Sequence, residues 1–139
     1  MLGRRDPRVE LRGHLVHELL PTGGPVGIAL RAAGTRVSGR RTTTCLLCHA
    51  VQPADAVSLF TARRVGEAGR NGNTIGTYVC ADLRCAGRVR EVPAAARHLP
   101  DDLQELAVVE QAAGLRQRLV AFSGDVPDGR LRSGAPAAR

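Results

Sequence analysis

The chain has 139 residues, a formal net charge of +7 and a pI near 10.8, and all 20 of its basic residues are arginine. Its hydrophobic share of 43% is ordinary for a globular domain, but only Phe60, Phe122 and Tyr78 carry large rings. No apolar run approaches the roughly 20 residues a membrane crossing needs, and the opening MLGRRDPRVELRGH has no apolar segment of a secretory signal, so a cytoplasmic location is expected.

Residues 1–13 are charged and broken by Gly3 and Pro7, and are expected to be a loose lead. The runs HLVHELL (His14 to Leu20) and VGIAL (Val26 to Leu30) flank PTGG, a turn composition, and read as a β-hairpin. Residues 33–44 read as a linker. The stretch Val57–Ala62 is strand-like, GEAGRNGN (Gly66–Asn73) is turn-rich, and TIGTYVC (Thr74–Cys80) returns as a strand, making a second hairpin. A short helix is expected over Ala81–Val92, with Asp82 in its first turn and Pro93 ending it. A longer helix is expected over Leu99–Phe122, its stripe running through Leu99, Leu103, Leu106, Val108, Ala112, Leu115, Leu119 and Phe122. Gly114 weakens its middle by about 1 kcal/mol. The Gly/Pro/Ser/Arg-rich tail, residues 123–139, is expected to be disordered.

The cysteines fall as Cys45-x2-Cys48 and Cys80-x4-Cys85. In a reducing compartment this pattern points to metal rather than disulfides. Four thiolates suit one tetrahedral zinc ion, and a closed sphere of four leaves no position for substrate, so the metal is structural. Iron also accepts four cysteines. A knuckle, a hairpin and a helix that together supply the ligands form a treble clef. The fold class is therefore α+β: a small treble-clef zinc finger with an N-terminal β-hairpin and a C-terminal helix. Its domain spans residues 14–122, with the zinc core over 44–92 and the closing helix over 99–122.

Two other motifs are set aside. CLLCH (Cys45–His49) matches a haem attachment pattern, but no export signal accompanies it and it leaves the second cysteine pair without a role. A thioredoxin-like reading needs a βαβ context that the chain lacks. No histidine lies in the second hairpin or the helix after it, so a treble-clef nuclease centre cannot be assembled, and no enzymatic activity or small-molecule substrate is expected.

The segment TCLLCHAVQPADAVSLFTARRVGEAGRNGNTIGTYVCADLRC resembles the C-terminal treble-clef zinc finger of the elongation factor G-binding proteins, the fusidic-acid-resistance type. The marks are Cys45, Cys48 and His49, then Ser58–Arg64, Gly66, Gly69, Arg70 and Gly72-Asn73-Thr74, then Gly76–Leu83 with Cys85. The resemblance is dense over Thr44–Arg90 and looser over Arg5–Arg31. It implies a translation module that binds elongation factor G on or near the ribosome and promotes its release. It also implies that Cys45, Cys48, Cys80 and Cys85 hold the zinc. Full-length resistance proteins carry a helical domain ahead of this finger, and the chain is expected to be a stand-alone form without it. Candidate partner-binding residues are Arg63, Arg64, Arg70, Asn71, Asn73, Arg84 and Arg88, since arginine forks suit carboxylate and phosphate. The alternative is a basic zinc finger that binds nucleic acid, either ribosomal RNA or DNA.

Overall fold

The computed structural model describes residues 1–18, 24–34, 41–124 and 129–130. Its N-terminal hairpin is β2 (Arg12–Glu18) against β3 (Pro25–Ala32), antiparallel with Leu15 opposite Ile28. The strand alternation is visible in the residues themselves: Gly13, Leu15 and His17 point inward, as do Val26, Ile28, Leu30 and Ala32. Ahead of it, β1 (Leu2–Arg5) pairs antiparallel with β2, so residues 1–13 are not simply a loose lead. Short, charged and glycine-bearing, β1 gave no period of its own. Its partner strand specifies it instead.

A two-stranded ribbon follows, β4 (Thr42–Thr44) with β5 (Val51–Pro53), the first cysteine pair at its turn. Next, β6 (Val57–Arg63) pairs with β7 (Thr74–Cys80) in full register from Val57↔Cys80 to Arg63↔Thr74. The intervening loop contains one helical turn, α1 (Gly66–Arg70). Strand β3 also pairs with β6, through Arg31↔Thr61 and Ala32↔Phe60. The two hairpins thus merge into one sheet of order β1-β2-β3-β6-β7, with β8 (Gly129–Arg130) added beside β3. The α+β class holds, but the architecture is more elaborate than a hairpin-plus-helix treble clef.

The second helix is one turn, α2 (Cys85–Arg88), rather than a helix from Ala81 to Val92. Leu83 sits at φ 58°, a left-handed conformation that a helix cannot pass through. After a 3-10 turn at Ala94–Ala96, α3 runs from Asp101 to Gly124. Only its C-terminal half buries a face: Leu115, Leu119 and Phe122 join Leu15, Ile28, Phe60 and Leu83 in one core. Leu103 and Leu106, expected to face inward, are 42% and 52% exposed. The sheet does not extend far enough to cover the first turns of α3. The expected disordered tail, residues 123–139, includes the end of α3 and β8, and its remainder lies outside the described residues. So do residues 35–40 of the expected linker and the turn of the N-terminal hairpin.

Candidate metal centre

The ribbon β4–β5 positions the first two ligands. The N–H of Cys45 donates to Ala50 O (3.0 Å) and that of His49 to Cys45 O (2.9 Å), which closes the turn, with His49 at φ 59°. This knuckle aims Cys45 and Cys48 the same way. Cys80 ends β7, the N–H of Leu83 donates back to Cys80 O (2.8 Å), and the left-handed Leu83 swings the chain so that Cys85 opens α2 facing Cys80. The ribbon is tied to the sheet where Leu46 N–H donates to Tyr78 O (2.8 Å).

All four cysteines are buried and unpaired by disulfide, and their sulfurs lie within 4.8 Å of one another. The Cys45 and Cys85 sulfurs are 3.7 Å apart, those of Cys48 and Cys80 3.5 Å. A tetrahedron with zinc–sulfur bonds of about 2.3 Å has sulfur–sulfur edges of about 3.8 Å. The two close pairs match that edge, and the set fits one zinc ion. Four thiols this close cannot all ionise unless a cation shares their charge. Contacts with Cys48, Cys80 and Cys85 pull the Cys45 thiol well below the ordinary range, while contacts with Cys45, Cys48 and Cys80 push Cys85 far above it.

Two donors reduce the negative charge of a four-thiolate centre. The backbone N–H of Cys48 points at Cys45 Sγ (3.4 Å), and Gln52 Nε2 donates to Cys80 Sγ (3.1 Å). Gln52 went unnoticed in the sequence, because only the β4–β5 pairing carries it to the metal. Arg118 was also missed. From α3 its Nε donates to Leu47 O (2.6 Å), which fastens the long helix to the knuckle.

The candidate partner-binding residues separate into two groups. Arg63, Arg64, Arg70, Asn71 and Asn73 are all exposed at the hairpin tip. Arg84 and Arg88 lie at the zinc end. The Val57↔Cys80 and Arg63↔Thr74 pairs are six residue steps apart along the hairpin, placing the groups about 20 Å apart. Arg88 is also engaged: its guanidinium grips both oxygens of Asp82 at 2.9 Å. Asp82 does not cap α2 but accepts the N–H of Arg84 (3.0 Å). Burial tends to raise the Asp82 carboxyl, yet the bonds from Arg88 and Arg84 outweigh it and hold the group low.

The tip is a built turn. Arg64 N–H donates to Asn73 O (3.0 Å), Asn73 N–H to Ala68 O (2.9 Å) and Gly72 N–H to Gly69 O (3.0 Å). Gly72 takes φ 84°, and any Cβ on Gly69 would fall 1.7 Å from Arg64 O, so both positions demand glycine.

Knuckle, hairpin and one-turn helix around four buried cysteines define a treble-clef zinc finger with a structural, non-catalytic metal. Residues 1–126 match the model of the FBP C-terminal treble-clef zinc-finger family, and the chain belongs to that family. No curated protein and no solved structure matches the chain. Among the described residues no helix is long and apolar enough to cross a membrane.

Proposed function

We propose that the protein is a zinc-stabilised binding module that contacts elongation factor G at the ribosome and favours the factor's release. The observation that carries this reading is the hairpin tip. Its backbone is fixed by three hydrogen bonds and two obligatory glycines, while Arg63, Arg64 and Arg70 remain exposed. Ordering such a loop costs about 1–2 kcal/mol per residue, an expense suited to a rigid recognition element. The resemblance to the elongation factor G-binding proteins includes Arg63, Arg64, Gly66, Gly69, Arg70, Gly72 and Asn73 of this same loop. Guanidinium groups carried on a backbone already ordered recognise carboxylates on an acidic protein face without the further cost of ordering the loop. A module of this kind needs no catalytic group, since binding one state of the factor more tightly shifts its equilibrium.

The test is calorimetric titration of the zinc-loaded chain into purified elongation factor G at physiological salt. A saturable complex is expected, weakened about tenfold or more by the pair Arg64→Ala and Arg70→Ala. Absence of a complex, or one indifferent to that pair, refutes the reading.

A further inference from the structure

One face of the sheet packs on the core. The opposite face is left uncovered by any described helix, and its residues are distinctive. Strand alternation places Arg4 on β1, Arg12 and His14 on β2, Arg31 on β3 and Arg63 on β6 there together, all exposed. Between them the floor is small: Gly27, Ala29, Thr61 and Gly76. These strands border a groove of about 950 Å³, lined by Arg12, His14, Ala29, Arg31, Thr61 and Arg63.

The register makes this arrangement costly for the free protein. Arg12 stands directly opposite Arg31 across β2 and β3. Like charges in directly opposed positions destabilise a sheet. Among the described residues none of the four arginines has a carboxylate partner. Among the described residues an ion pair forms between Arg88 and Asp82, on the zinc side. Two acidic residues lie at the margins: Glu10 on the groove's rim, already engaged in an interaction, and Glu18 at the far end of β2. The centre of the face is thus uniformly basic, flat and floored by small residues that let a ligand approach the backbone.

We propose that this open sheet face binds the phosphodiester backbone of RNA, as a surface separate from the Arg64–Arg70 tip. A chain of phosphates supplies the repeated anions that an opposed arginine ladder lacks, and it lies flat against small residues as a globular carboxylate cluster does not. Tyr78, 50% exposed on the same face toward the zinc end, offers one ring on which a base can stack. The choice of RNA over DNA rests on the translational reading above. The choice of a polyanion rests on the sheet alone.

The experiment uses the full zinc-loaded chain and a short fluorescent RNA hairpin, with a DNA hairpin of the same sequence as competitor. Affinity is measured across a salt series, for the parent and for Arg12→Ala/Arg31→Ala. The double variant should bind RNA about tenfold or more weakly, and the slope of log affinity against log salt should shrink by about 2. Its melting temperature should be no lower than the parent's, because a repulsive pair has been removed. Arg12→Lys/Arg31→Lys should restore most of the affinity. Titration of the same variant with elongation factor G separates the two readings: the factor complex should survive Arg12→Ala/Arg31→Ala and RNA binding should survive Arg64→Ala/Arg70→Ala. RNA affinity unchanged in Arg12→Ala/Arg31→Ala overturns the assignment. So does equal competition by DNA, or loss of the factor complex in that variant without RNA binding by the parent, which would give the face to a protein.

Discussion

Leu83 is the residue on which several parts of the molecule converge. It is fully buried, it holds a left-handed φ between two zinc ligands, and two glycines of the N-terminal strands make room for it. A Cβ on Gly3 would sit 2.2 Å from Leu83 O, and one on Gly13 would sit 2.5 Å from Leu83 Cδ1. Gly3→Ala should therefore destabilise the zinc-loaded protein by about 1–3 kcal/mol through overpacking against backbone. Gly87→Ala, in α2 with nothing near its Cβ, should instead stabilise by about 0.5–1 kcal/mol. Urea midpoints of the two variants check the pair. A loose N-terminal lead would tolerate Gly3→Ala without cost.

His17 gives a second prediction at this scale. It is buried and bonded through Nε2 to Ser123 Oγ, and Ser123 in turn donates to Leu119 O (2.7 Å). The serine proton is thus committed, so the neutral ring carries its own proton on Nε2. Burial holds the His17 pKa below its ordinary 6.5, against the raising effect of Glu18 O. Below pH 6.5 the unfolded chain takes up a proton that the fold resists. The contribution of His17 is complete above that value and lost as pH falls from it toward the lower folded value. His17→Gln should flatten the dependence of the urea midpoint on pH across this interval.

At the scale of elements, α3 explains a residue that looked like a defect. Gly114 lowers helix propensity, but a Cβ there would come within 2.9 Å of Arg118 Nη1, and Arg118 is the side chain that reaches the knuckle carbonyl of Leu47. The glycine clears the guanidinium's path. Arg118→Ala should cost about 1–3 kcal/mol, as expected for a hydrogen bond from a charged donor. Gly114→Ala should stabilise by up to about 1 kcal/mol only when Arg118 is already alanine. A double-mutant cycle by denaturant unfolding measures that coupling, and additive effects would refute it.

The same elements mark how far the sequence could be read. Cysteine spacing pointed to the metal site, and both hairpins follow from apolar runs separated by turn residues. The long helix was also legible, but not its orientation. Leu103 and Leu106 share a stripe with buried positions, yet both are exposed, and periodicity cannot report where a neighbouring layer ends. The two rings of the second hairpin, Phe60 and Tyr78, fall on opposite faces of the sheet. Phe60 is fully buried, whereas the alternation of β7 turns Tyr78 to the open face. Gln52, Arg118 and the Gly3–Leu83 contact depend on long-range pairing that no local pattern encodes.

For the whole molecule, the zinc ion joins pieces that are otherwise weakly connected. The β4–β5 ribbon is a separate sheet, and α2 is a single turn. Structural zinc contributes about 10–16 kcal/mol of binding free energy, comparable to the entire stability of a small domain. Chelation should thus abolish cooperative thermal unfolding, and stoichiometric zinc should restore it, as followed by circular dichroism. Cys85→Ser should leave the chain unable to recover on adding zinc. A chelated protein that keeps its full melting transition would contradict this account.

The contact between Gly3 and Leu83 also bears on synthesis. Strand β1 emerges well before the surface it rests against, which is made by the turn between the last two zinc ligands. At about 5–20 residues per second, several seconds of translation separate the two. Strand β1 therefore waits for that turn before it can settle, and must stay soluble meanwhile, a state suited to its arginines Arg4 and Arg5.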